Sequence, residues 1–458
     1  MHLTWAHGVD RIWIVNVGDI KPMEFPIQFF LDMAWDPGAM TSARMAGYTR
    51  EWAGATFGSA HAGDIARLID GYTRFNGRRK PELLDPHTYS PIHYREAERA
   101  AAEYNALASE ARALRERLPR EFHDAYDQLV LFPVVACANL HDLYVTAGRN
   151  RLYASQGRAA TNTLAARTTE LFLRDSLLTR WYNHDMAGGK WNHMMDQTHI
   201  GYFMWQEPPR NFIPRTTKIT LPVKSLMRVA PEGSESFLEA GDTARMLPVL
   251  DTYQNDSVYA EIFNAGTEPF AWSLSASVPW LRISPREGIL TTEERIWFTL
   301  DASKVPEGRH TLPVTILSSG GERIVLLVEV FRPAPFPAGF RGFAESNGHI
   351  AMEAAHYARK SGYAGVEWEE IPQLGRTHSA MTTFPVTAPA DTLPGPGASL
   401  EYDLWVFTPG EVTVTLVLSP SLNYYGPGHR IALSFENQPP QILPVHGRYD
   451  NRQCEQWK

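Results

Sequence analysis

Cysteine is nearly absent from this chain. Cys137 and Cys454 are the only two in 458 residues, and they lie far apart. A disulfide framework and a cysteine zinc site are thereby excluded, while the redox compartment stays open. Long apolar runs are lacking as well: none approaches the ~20 residues that span a bilayer. No basic-then-apolar leader opens the chain. Basic excess is missing too. The formal net charge of -8 argues against a nucleic-acid surface, and mild acidity by itself selects no partner. No glycine-rich phosphate loop, dinucleotide fingerprint or serine nucleophile elbow occurs, which removes nucleotide and serine-hydrolase chemistry. What is present is a globular composition, 44% hydrophobic and 21% charged, with a mean hydropathy of -0.29. At ~150 residues each, the length accommodates about three domains. The aromatic share is 11%, with 13 Trp, and a large fold buries most such rings in its core.

The most informative stretch is GVDRIWIVNVGDIKPMEFP. Ile12, Trp13, Ile14 and Val15 form a short apolar run bounded by turn residues, the pattern of a strand buried on both faces. It ends abruptly in Asn16, Gly18, Asp19, Lys21 and Glu24, interleaved with Pro22 and Pro26. A buried strand that stops at clustered polar groups is the pattern of the C-terminal mouth of a parallel β/α barrel. One strand cannot bury itself, and only MHLTWAH precedes it, so its sheet partners are expected further upstream. FPIQFFLDMAW carries Ile27, Phe30, Leu31 and Ala34 at helical spacing and is expected to be the following helix. Asn16, Asp19, Lys21 and Glu24 offer an amide, two carboxylates and a cation. The plainer reading of the same residues is a loop-bracing ion pair from Lys21 to Asp19 or Glu24.

Residues 56–210 read as a helical bundle. The stretch rich in Ala, Glu and Arg up to Pro119 sets Leu107, Ala111 and Leu114 on one face, with Tyr104 adjoining. A second helix follows, with Pro133 as its kink or junction, and TNTLAARTTELFLRDSLLTRWYNHDM is a third. From about 210 the period switches to two. VYAEIFNAG, FAWSLSAS, WLRISP, GILTTEERIWFTLD, HTLPVTILSS and ERIVLLVEVF are short strands at sandwich-like spacing. The proline-rich FRPAPFPAGFRG is a linker. Strands are expected again in GHIAMEAAHYA, SLEYDLWVF, EVTVTLVLS and RIALSFEN, a second sandwich.

MMDQTHIGY clusters Asp196, His199 and Tyr202 near Trp191 and His193. The spacing of His193 and His199 suits neither a helical metal pair nor a zinc finger. Buried polar groups pinning the end of the bundle are the plainer explanation. His141 and Asp142 are neighbours on a helix and point different ways, so they are not an acid–base dyad. Arg149 and Arg151 are expected to cap the helix end or pair with acids.

GVDRIWIVNVGDIKPMEFPIQFFLDMAW, HDLYVTAGRNRLYASQGR, WNHMMDQTHIGYFMWQEPPRNFIP and IPQLGRTHSAMTTFPV resemble, in order, stretches of glycoside hydrolase family 115, the xylan α-1,2-glucuronidases. The resemblance covers nearly all of the chain. It implies a multidomain α and β protein: the remnant of a (β/α)8 barrel in 1–55, a helical bundle in 56–210, an Ig/fibronectin-like β-sandwich in 211–333 and a jelly-roll-like β-sandwich, truncated, in 340–458. Members are about twice this length, so the resemblance implies a fragment or the product of a split gene, inactive in isolation. The implied activity is removal of (4-O-methyl)glucuronic acid side chains from glucuronoxylan by an inverting route without cofactor or metal. Such hydrolysis uses two carboxyl groups, and a uronic acid adds a need for cations and donors. The family's proposed acid sits in an Asp-Asp-Asn stretch that does not occur here, so the catalytic residues stay unassigned. Substrate contact is implied for Asn16 and Glu24 first, then Asp19 and Lys21, and less for His199 and Tyr202. Expected partners are glucuronoxylan or a related plant polysaccharide, neither nucleic acid nor membrane, and a second copy hiding the open strand edge. The resemblance implies a secreted or periplasmic parent. The alternative from another class is a non-catalytic polysaccharide-binding or assembly protein of bundle and sandwiches.

Overall fold

The computed structural model describes all residues except 19, 204–205, 243–245, 255, 391, 420–427, 437 and 446–458. Eight α-helices are described, all in the first 180 residues. They are α1 (His2–Ala6), α2 (Glu24–Trp35), α3 (Ser42–Phe57), α4 (Ala62–Arg78), α5 (Glu96–Arg115), α6 (His123–Tyr126), α7 (Phe132–Gln156) and α8 (Thr161–Arg180). Thr41 caps α3 by accepting from Arg44 N–H at 3.3 Å, satisfying one of the donors a helix start leaves over. Helix α5 buries Ala97, Ala100, Tyr104, Leu107, Ala108, Ala111 and Leu114. That is the three-to-four-residue spacing of one helical face, and it includes the face anticipated from sequence. Pro133 enters at the start of α7, directly after a π turn over Asp127–Leu131. A residue with no N–H to donate thus sits where the winding changes.

Helix α7 is the axis of the helical unit and is buried along most of its length. The helical stretch Arg120–Gln156 is long and apolar enough to cross a membrane by length and composition, and 67% of its most apolar window is buried inside the protein. Asn139, His141 and Asn150 lie within it and are buried, which is why no uninterrupted apolar run marks it in the sequence. Gly148 lets the 84–91 loop approach: a Cβ there would meet Pro86 O at 2.4 Å. Gly157 ends the helix in the left-handed region, φ 70, its N–H returning to Ala154 O.

The buried strand expected at Ile12–Val15 is not formed. Residues 12–17 are neither helix nor strand, and Ile12 and Ile14 are 75% and 90% exposed. A both-faces-buried strand needs ladder partners on its edges and cover on its faces, and no described strand offers them. The helix expected next is present as α2. It contributes Met33 to the same core as Met40, Tyr48 and Trp52, so the front segment packs into the helical unit.

Nine strands follow: β1 (Met227–Pro231), β2 (Leu250–Asp251), β3 (Val258–Asn264), β4 (Phe270–Ala276), β5 (Leu281–Ser284), β6 (Glu287–Leu290), β7 (Glu293–Leu300), β8 (Gly308–Ser318) and β9 (Arg323–Arg332). They make one sheet in the order β1-β3-β7-β5 and another in the order β2-β9-β8-β4-β6, with every pairing antiparallel except β2 with β9. Alternate residues of β4 and β9 are buried, and the inward side chains of both sheets, among them Ile262, Phe298, Val314 and Leu326, form one core. The short β1 and β2 were not anticipated, because neither carries a readable alternation.

Beyond the linker the described residues form four separate two-stranded pairings. Phe343–Ala344 lies beside Leu404–Trp405, Arg359–Ser361 beside Ser399–Glu401, Glu367–Pro372 beside Ser379–Phe384, and Arg430–Leu433 beside Gln441–Pro444. The strands expected in GHIAMEAAHYA and EVTVTLVLS are absent, and Val412, Leu416 and Val417 of the latter are exposed. Alternation alone does not make a strand where no described neighbour completes a sheet. The protein is therefore a mixed chain, helical first and β-rich after.

Candidate functional site

The polar loop at 16–24 is held to the helical unit at its far end. Asn16 is exposed, and its Oδ1 accepts from Gly18 N–H at 3.4 Å, a local turn. Asp19 lies outside the described residues. Lys21 pairs with Glu24 and stands 4.0 Å from the ring centroid of Trp191. Gln128 Nε2, from the π turn before α7, donates to Glu24 Oε1 at 2.6 Å. The other Glu24 oxygen and the buried hydroxyl of Tyr182 have no hydrogen-bond partner among the described residues. Burial and the nearby Glu24 carboxylate push the Tyr182 hydroxyl above its usual range. Lys21 and Glu24 thus make the bracing pair that was the plainer reading of the loop, and they bring Gln128, Tyr182 and Trp191 alongside. Sequence inspection set Trp191 only beside MMDQTHIGY and had no means of bringing any of the three to this loop, since they come from more than a hundred positions away.

The MMDQTHIGY stretch is tied down by its own side chains. His193 Nδ1 lies 2.6 Å from Asp196 Oδ2, and Asn183 donates to Asp196 Oδ1 at 2.8 Å while accepting from Met195 N–H at 3.0 Å. His199 Nε2 sits 2.9 Å from both oxygens of the buried Asp175 of α8. Burial opposes charge on this imidazole, but the Asp175 carboxylate outweighs it and raises the pKa. Asn211 accepts the N–H groups of both His199 and Ile200. Tyr202 is half-buried. The structure therefore separates His199 from the Lys21–Glu24 group and joins it to α8. Among the described residues, no group of three or more His, Cys, Asp or Glu is placed to hold a metal ion.

His141 and Asp142 do diverge. His141 Nδ1 contacts Cys137 O at 2.8 Å and its ring lies on Tyr104, whereas Asp142 accepts from Asn105. Burial lowers the imidazole to about 4, so it is neutral in the core. Arg149 reaches Glu293 at 3.6 Å and donates to Tyr153 OH at 2.9 Å.

A second charged cluster joins the helical unit to the sheets. Arg158 Nη1 donates to Glu261 at 2.6 Å and Glu293 at 3.1 Å, and Arg295 donates to both oxygens of Glu98 and to Glu261. Burial works against the charge on Glu261, yet the two guanidiniums hold its pKa below the usual range. Next to it, burial raises Glu232 to about 7. The acids and bases here neutralise one another, which makes a joint rather than a reactive centre.

Comparison with known proteins supplies the class. The glycosyl hydrolase family 115 model matches residues 1–83, and the model of the glycosyl hydrolase family 115 C-terminal domain matches residues 342–458. Both models describe glycosyl hydrolase family 115, and they match the two ends of the chain. Among solved structures it is similar to a family GH115 4-O-methyl-alpha-glucuronidase with specificity for decorated arabinogalactans, at 18% identity and a TM-score of 0.37, over 71% of this chain and 46% of that one. The chain thus spans about half the length of that relative. Smaller matches are a Bacteroides ovatus GH5 xyloglucanase (20% identity, TM-score 0.18, 23% of this chain and 21% of that one) and the ASH/PapD-like domain of human CEP192 (13%, 0.19, 28% and 100%). No curated protein matches the chain.

Proposed function

We propose that this chain is part of a glycoside hydrolase that removes (4-O-methyl)glucuronic acid side chains from glucuronoxylan or a related plant polysaccharide. The observation that carries the reading is the family match at both ends of the chain. In this reading residues 1–55 are the end of a catalytic barrel, 56–210 a helical bundle, 211–333 an Ig/fibronectin-like sandwich and 340–458 a jelly-roll-like unit. In this reading Asn16 faces the sugar and donates to a hydroxyl or positions water. Lys21 and Glu24 hold the loop beneath it, with Gln128 and Trp191 as their anchors. Such positioning is worth several kcal/mol when the reacting groups are set at near-attack distance.

The test uses a family-length polypeptide carrying this chain, assayed for uronic acid released from glucuronoxylan and from decorated arabinogalactan. Release from at least one is expected, and Asn16→Ala should lower kcat/KM at least tenfold, about 1.4 kcal/mol, without moving the melting temperature. No release from either glycan would remove the assignment. Unchanged turnover with a depressed melting point would make Asn16 a scaffold residue.

A further inference from the structure

Where the helical unit, the first sheet and the C-terminal stretch meet, one guanidinium is left with its donors open. Arg95 directly precedes α5 and is exposed. It lies over the half-buried indole of Trp297 on β7, 5.2 Å from the ring centroid. Among the described residues no carboxylate pairs with it and no acceptor takes its N–H groups. Resting on a ring holds a guanidinium in place without using those donors. Arg295, the other cation beside Trp297, is instead bound to Glu98 and Glu261. Next to Arg95 the ring of Tyr94 is 61% exposed. His349 steadies it from the C-terminal stretch: the Tyr94 hydroxyl lies 2.9 Å from His349 Nε2, and the two rings meet edge-on. Gly233 N–H fastens the turn before them by donating to Ile92 O at 2.9 Å. Glu232 and the exposed Asp256 complete the surroundings. Burial, Glu232 and Asp256 together hold the Tyr94 hydroxyl above its usual range. Burial also keeps Glu232 protonated up to about 7, so below that pH it leaves the Arg95 charge uncompensated.

We propose that Tyr94 and Arg95 form a surface site for a uronic-acid group on a polysaccharide, sharing no residue with the 16–24 loop. The site takes its glycan class from the proposed function but does not depend on turnover. The sugar ring lies on the exposed face of Tyr94, where an aromatic body meets apolar C–H groups. The sugar carboxylate takes the planar N–H fork of Arg95, a bidentate match that a lysine cannot make. Trp297 beneath the guanidinium restrains it beforehand, so less side-chain entropy is lost on binding. The Asp256 carboxylate is an acceptor for sugar hydroxyls. The chain as a whole carries a net charge of -8 and repels an acidic polymer, so attraction has to come from a local cation rather than from overall charge. A neutral glycan offers the ring contact without the ion pair and should bind more weakly.

The experiment is titration calorimetry of the full chain, below the pH of about 7 at which Glu232 ionises. The probes are glucuronoxylan, the same polymer with its carboxyl groups reduced, and polyglutamate, which has carboxylates but no sugar ring. Glucuronoxylan should bind about tenfold or more tightly than the reduced polymer, and polyglutamate should not bind. Tyr94 and Arg95 both hold left-handed backbone, φ 51 and 52, which asparagine tolerates well. Arg95→Asn should therefore leave thermal unfolding near the parent value while weakening glucuronoxylan binding about tenfold. Tyr94→Asn should weaken binding of both xylans. No binding, equal binding of the two xylans, equal binding of polyglutamate, or indifference to Arg95→Asn would each overturn the proposal. Binding lost with Asn16→Ala but kept with Arg95→Asn would place the glycan on the front loop, overturning this site while leaving the proposed function standing. Conversely, Arg95-dependent binding without uronic acid release by the family-length polypeptide would keep this site and remove the hydrolase reading.

Discussion

Arg158 places its guanidinium 2.6 Å from the carboxylate of Glu261 and is only 1% exposed. The residue follows α7 in the helical unit, and its partner lies on β3 in the first sheet. Tyr153 and Phe263 lie against the guanidinium, at 4.2 and 4.4 Å. Gln156 takes the Nε hydrogen at 2.6 Å. Nε and Nη1 both find close acceptors, and such geometry is the condition for a buried ion pair to repay its desolvation. Arg158→Met should therefore cost about 3–5 kcal/mol, since Glu261 and Glu293 lose their shared cation. Chemical denaturation would measure it. A loss under 1 kcal/mol would show that Arg295 on Glu261 and Arg149 on Glu293 suffice for the two acids.

Glu232 gives the same joint a pH dependence. Burial holds its proton up to about 7, and its carboxyl accepts Tyr259 N–H at 3.0 Å. The folded state binds this proton more tightly than the unfolded one. Its contribution is therefore complete below the ordinary carboxylate range and is lost as pH rises through about 7. The loss should be about 2 kcal/mol, allowing for partial exposure. His199, raised by Asp175 against the opposing effect of burial, acts in the same direction: its share is full below the ordinary imidazole range and disappears above the raised value. Melting temperature should fall from pH 5 to 8.5, and Glu232→Gln should flatten the lower part of that slope. A parallel slope in the variant would assign the effect elsewhere.

Gly148 tests how tightly the 84–91 loop lies on α7. In an open helix, Gly→Ala stabilises by nearly 1 kcal/mol. Here the added methyl would stand 2.4 Å from Pro86 O, so the sign should reverse, with a net loss of about 1–3 kcal/mol. Equilibrium unfolding decides it, and a stabilised variant would mean that the loop yields.

Lys21 is the cation of the candidate loop. Lys21→Met removes the Glu24 pair and the contact with Trp191 but keeps much of the stem. The expected cost is about 1–2 kcal/mol, with faster hydrogen exchange at 20–24. A change below 0.5 kcal/mol would place the pair among ordinary surface ion pairs.

Local pattern was enough to locate α2, α5, α7 and α8 and six strand regions of the two-sheet unit, while α3 and α4 went unmarked. Helical spacing in α5 and alternation in β4 and β9 reflect burial by immediate neighbours, so they are legible in one dimension. The divergence of His141 and Asp142 follows from helix geometry alone. What the pattern could not supply was partnership. Ile12–Val15 and EVTVTLVLS have the composition of strands yet pair with no described residues, because a strand exists only through a second chain segment that hydrogen-bonds to it. The attachment of Glu24 to Gln128, of His199 to Asp175 and of Arg158 to Glu261 likewise joins residues 24 to 104 positions apart. Side-chain chemistry set in advance which groups would need partners. Only the packing of helix on helix and helix on sheet decided which partners they met, because that choice depends on distances in space that the order of residues does not encode.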